Sequence, residues 1–145
     1  MRRSPDSLAR VVAITLALLL IGTPIVTAQG SRMNDKDIES LMKNLQDDSK
    51  KFRSAFNSGV GKSTIRKTSQ EKDAKTLVER FEKETEGLLK EFKDKKKADS
   101  LPTVVATSSD IDKLVSTLHL GDATEAAWSK VKTELGTLKQ QFDVN

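Results

Sequence analysis

The chain has 145 residues, which is room for one domain with one hydrophobic core. It is 36% hydrophobic and 32% charged, and it has no cysteine, so disulfides and cysteine-built metal or redox centres are excluded. The net charge of +4 would suggest nucleic acid only if the positive charges gathered on one face.

The first residues account for part of that charge. Met1-Arg2-Arg3 and Arg10 form a basic start, residues 11–21 carry no charge, Gly22 and Pro24 break any helix, and Val26-Thr27-Ala28 is a small-residue ending. This order predicts a signal peptide over residues 1–28, cleaved after about Ala28, and a periplasmic or secreted protein. The alternative is an uncleaved N-terminal membrane anchor. A spanning helix needs about 20 apolar residues, and Gly22, Thr23 and Pro24 interrupt this stretch. Arg2, Arg3 and Arg10 stand against Asp6, so two of the four net charges leave with the segment. The rest are scattered, and no nucleic-acid partner is expected.

The mature chain, residues 29–145, reads as a helical bundle. Asn34 or Asp35 can cap a first helix over about 35–57. Its apolar stripe is Ile38, Leu41, Met42, Leu45, Phe52, Ala55 and Phe56, with Ser49 as a polar gap, and Gly59 and Gly61 read as stop signals. Thr68 with Glu71 forms a capping box opening a second helix over about 69–97. Its stripe is Ala74, Leu77, Val78, Phe81, Leu88, Leu89 and Phe92. Glu79 with Lys83, Glu86 with Lys90, and Glu91 with Lys95 are spaced for ion pairs on the wet side.

Ser100-Leu101-Pro102 opens a third helix over about 101–119, since proline is tolerated in a first turn. Its stripe is Leu101, Val104, Val105, Ile111, Leu114, Val115 and Leu118. Residues 103–109 are rich in β-branched and hydroxyl side chains, which leaves Ser109 as a second possible start. Gly121 ends the helix, and Asp122 with Glu125 reads as a box-like cap for a fourth over about 122–142. There Trp128, Val131, Leu135, Leu138 and Phe142 recur at gaps of 3 and 4, the rhythm of a stripe laid against partner helices. Four stripes with short connections predict an all-α, antiparallel up-down-up-down four-helix bundle.

No catalytic, cofactor-binding or metal-binding residue is expected. Gly59-Val60-Gly61-Lys62-Ser63-Thr64 resembles the end of a phosphate-binding loop, but Phe56 stands where that motif needs glycine, and a helix leads in instead of a strand. His119 is the only histidine. Paired with Met42 it would suit haem, yet it sits at a helix end. The acids Asp47, Asp48, Glu79, Glu82, Glu84 and Glu86 read as solvent-side charges. No Glu-x-x-His pair is present to build a di-metal bundle site.

With these stripes in place, the chain resembles a family of small uncharacterised exported bacterial proteins over residues 35–144. The resemblance is carried by Asp48 and Phe52, by Val78, Phe81, Thr85, Leu88 and Phe92, and by Trp128, Leu135, Leu138 and Phe142-Asp143-Val144. It implies export and an all-helical domain and brings no activity with it. The expected function is non-enzymatic binding of another protein or of the envelope surface. The alternative is a carrier of an apolar ligand or haem, in a core gap left by Ser49, Thr85 and Ser108.

Overall fold

The computed structural model describes residues 32–145, so the expected signal peptide over 1–28 lies outside the described residues. Four helices follow in chain order: α1 Asp35–Val60, α2 Ser69–Lys95, α3 Leu101–Leu118 and α4 Asp122–Gln141. No strand occurs among the described residues, and none of their helices is long and apolar enough to cross a membrane. α1 packs on α2 and α4, and α3 closes the ring against α2 and α4, so the chain forms an antiparallel up-down-up-down four-helix bundle.

The core is where the four stripes meet. Met42, Leu45, Phe52 and Phe56 of α1, Val78, Phe81, Leu88 and Phe92 of α2, Leu101, Val104 and Ile111 of α3, and Trp128, Val131, Leu135 and Leu138 of α4 are buried. Each such side chain contributes roughly 1.5–3 kcal/mol on leaving water, and the summed stripes hold the helices together. Trp128 is the central piece. Its ring lies 4.8 Å from Phe52 and 5.6 Å from Phe81, centroid to centroid, so one side chain of α4 joins α1 to α2.

The caps explain the helix boundaries and correct several of the expected ones. Asn34 caps α1 by accepting from the Asp37 N–H at 2.9 Å. α1 does not stop near Asn57 but runs to Val60, with Gly59 inside it. The reason is packing. A Cβ on Gly59 would lie 2.9 Å from both the Cβ and the carbonyl oxygen of Leu120, so the bare backbone is what lets the end of α1 meet the α3–α4 corner. Val60 and Ile65, beyond the expected end, are buried core residues.

Thr68 caps α2 as expected, although the Glu71 side chain reaches back to the Lys67 N–H and not to that of Thr68. α2 ends at Lys95 with Lys96 in the left-handed region at φ 53°, short of the expected 97. α3 begins at Leu101, which settles its start against Ser109. Ser100 precedes it without a side-chain cap, since its backbone is already in the right-handed helical region (φ −82°, ψ −8°), and its hydroxyl donates to Glu91. His119, not Gly121, ends α3 at φ 46°, and Gly121 at φ 97° caps α4 through its backbone. The expected box of Asp122 and Glu125 is therefore two acids in the first turn of α4, where they favour the positive end of the helix dipole.

Candidate functional site

The two ends of the bundle are fixed by polar contacts. At one, the Met33 N–H donates to Gln141 Oε1 at 2.8 Å, beside the pairing of Lys93 and Lys96 with Glu39. At the other, Thr124 Oγ1 donates to the Ala55 carbonyl at 3.2 Å. Met42 lies toward the first end, buried in the core, and His119 is exposed at the second. About 25 Å of helix separates them at 1.5 Å per residue, so they do not share a metal. Among the described residues no group of three His, Asp or Glu is placed to hold a metal ion.

The core positions expected to leave a gap do not form one together. Ser49 and Thr85 are buried and turn their hydroxyls onto their own helices, to the Leu45 carbonyl at 2.6 Å and the Glu82 carbonyl at 2.7 Å. Ser108 is only half-buried. Thr107 takes the inward position beside it and accepts from Arg80 Nη2 at 3.5 Å.

Four of the acids read as solvent-side charges, Asp48, Glu79, Glu82 and Glu84, are half-buried. Arg53 of α1 reaches across to α2, at 2.6 Å from Glu79 and 3.0 Å from Glu82, and these carboxylates, Glu82 first, push the guanidinium pKa up. Glu84 pairs with Arg80 at 3.5 Å and keeps one buried oxygen without a hydrogen-bond partner. The expected pairs of Glu79 with Lys83, Glu86 with Lys90 and Glu91 with Lys95 are absent. Glu79 is taken by Arg53, and Glu91 accepts from both the N–H and hydroxyl of Ser100, which hold its carboxyl below the usual range. Along α2 the pairs that form are Lys75 with Glu71 and Arg80 with Glu84.

Asp48 of α1 and Glu134 of α4 face each other across a seam that sequence gives no means of matching. Asp48 accepts from Lys51 Nζ at 2.6 Å, which holds its carboxyl below the ordinary value. Glu134 has no such cation. Burial first, and the Asp48 charge second, push its pKa up to about 7.

Between α3 and α4, a hollow of about 330 Å³ contains His119, Glu125, Ser116 and Ser129, the nearest approach to a catalytic set. No hydrogen bond joins the His119 ring to a serine or an acid there, and Asp112, the remaining carboxylate, is engaged by Trp128 Nε1 at 2.9 Å and Lys132 Nζ at 2.8 Å. No relay of nucleophile, base and orienting acid is assembled in this hollow among the described residues.

The apolar opening lies elsewhere, between the start of α2 and the end of α3. A hollow of about 390 Å³ is lined by Ile65, Ala74, Leu77, Leu114 and Leu118, with Asp73 at its edge. That volume falls among those of small-ligand and peptide-anchor pockets. The three leucines are only half-buried, because α3 leaves the α2 seam open at this end. The adjoining turn, residues 61–68, carries Lys62, Arg66 and Lys67, all exposed and in no ion pair among the described residues. Apolar periodicity alone counted these leucines as core and gave no sign that the seam stays open.

No protein-family model matches the chain, and comparison with curated proteins and with solved structures gives no match.

Proposed function

We propose that this is an exported binding module with no chemistry of its own, which docks a protein partner through the leucine-lined hollow between α2 and α3. The observation that carries it is the juxtaposition of half-buried Leu77, Leu114 and Leu118 with the unpaired cations Lys62, Arg66 and Lys67 of the adjoining turn. Such a surface fits a segment that offers apolar side chains flanked by acids, the apolar part supplying affinity and the charges steering the approach. Charge supports the same orientation. Residues 32–100 hold eighteen Lys and Arg against fourteen Asp and Glu, whereas residues 101–145 hold four against six. The cationic side of the molecule is therefore the α1–α2 side. Export rests on the basic, apolar and small-residue order of residues 1–28.

A photo-crosslinking side chain placed at Leu114 in the native host tests this. The expected result is one acidic protein captured at Leu114, lost on Leu118→Asp and on joint reversal of Lys62, Arg66 and Lys67. Equal capture from the far face, at Lys50, or capture indifferent to those changes, would overturn the proposal. Mass spectrometry of the same native preparation distinguishes a small apolar occupant of the hollow, which would also overturn it.

A further inference from the structure

The pair Asp48 and Glu134 has no role in that docking surface, and its surroundings give it another. α1 and α4 are packed along their length, and here each contributes a carboxyl group to the seam. The cation within hydrogen-bond reach, Lys51, is bound to Asp48. Lys130, one turn before Glu134 on α4, acts on both carboxyls only through its charge. Asp112, which α3 brings to its seam with α4, is occupied by Trp128 and Lys132. Glu134 Oε2 is buried and no donor reaches it. A buried carboxylate oxygen in that position is costly, and a proton shared with Asp48 removes the cost.

We propose that Asp48 and Glu134 form a proton-operated clasp between α1 and α4, closed when the two carboxyl groups share a proton and loosened when both are ionised. With the proton present, one carboxyl donates to the other and the seam is satisfied. Without it, two like charges face each other in a half-buried site with a single bonded lysine. The raised pKa of Glu134, about 7, places this change near neutrality.

The test uses the mature chain with carbon-labelled glutamate side chains. The Glu134 carboxyl should titrate near 7, and in Asp48→Asn its midpoint should fall part of the way toward 4.5, since the burial that raises it most remains. Amide exchange along residues 131–135, corrected for its intrinsic pH dependence, should quicken above pH 7 in the wild type. It should stay slow in Glu134→Gln, whose neutral amide can donate to Asp48 at any pH. A wild-type midpoint near 4.5 would overturn the clasp, as would exchange that responds to pH alike in the wild type and in Glu134→Gln. The wild-type titration stands on its own should either variant fail to fold.

Discussion

Trp128 donates its indole N–H to Asp112 at 2.9 Å, so the residue at the centre of the aromatic core is also the polar tie between α3 and α4. α3 makes its lightest packing with α4, which gives that bond more weight than its one donor suggests. Trp128→Ala should cost about 3–5 kcal/mol through the lost ring. Trp128→Phe keeps much of the ring and loses the donor, and should cost about 1–2 kcal/mol. Lys132→Ala, which removes the exposed half of the same site, should cost less than about 1 kcal/mol. Urea denaturation of the three variants checks the order, and a Lys132→Ala cost equal to that of Trp128→Phe would contradict it.

Two glycines in helices should respond oppositely to alanine. At Gly59 the new Cβ would meet Leu120 at 2.9 Å and Thr124 Oγ1 at 3.1 Å, with backbone among the obstructing atoms, so Gly59→Ala should destabilise by roughly 1–3 kcal/mol. At Gly87 nothing lies within 4 Å of the new Cβ, and alanine there should stabilise by about 0.5–1 kcal/mol through helix propensity. Thermal melting of both variants beside the wild type decides it. A gain at Gly59 would mean that the α1 end does not abut Leu120.

Stability should pass through a maximum near pH 4.5–5. Glu71, Glu91, Asp48 and Asp112 have folded pKa values below the ordinary ones, held there chiefly by Lys75, Ser100, Lys51 and Lys132 respectively. Their contribution is present above the unfolded values of 4.5 and 3.8 and is lost as pH falls through the lower folded ones. Glu134 has the opposite sign. Its folded pKa is raised, so its contribution is full below 4.5 and lost as pH rises to about 7. Melting temperature should therefore drop on both sides. Glu91→Gln should flatten the acid limb and Glu134→Gln the limb between 4.5 and 7.

What was legible in the sequence follows from where each interaction is encoded. The a/d stripes are local, and the spacing of Trp128, Val131, Leu135 and Leu138 identified α4 and its inward face before any partner was known. Partners across seams are not local. Glu79 satisfies the i,i+4 rule with Lys83 on paper, but Arg53 on the neighbouring helix offers a two-carboxylate site with Glu82 and takes it. The match of Asp48 to Glu134 depends on the relative rotation of α1 and α4, which no spacing within either helix reports. Gly59 was misread for a similar reason: a glycine that stops a helix and one that admits a neighbour look alike until Leu120 is placed.

Ser49 interrupts the α1 stripe, and the structure gives it no partner beyond its own helix. Its hydroxyl donates to the Leu45 carbonyl at 2.6 Å, an oxygen that already accepts the backbone N–H of the same turn. Removing the hydroxyl leaves no buried group orphaned, and alanine nearly fills the same volume with better helix propensity. Ser49→Ala should therefore be neutral or stabilising by up to about 1 kcal/mol, and Ser49→Leu destabilising by about 1–3 kcal/mol because Phe52, Leu45 and their neighbours already fill the core. Denaturant midpoints at constant slope make the comparison. If Ser49→Ala loses more than about 1 kcal/mol, the hydroxyl is bonded across the core, and α1 does not present Ser49 to its own Leu45 carbonyl at that turn.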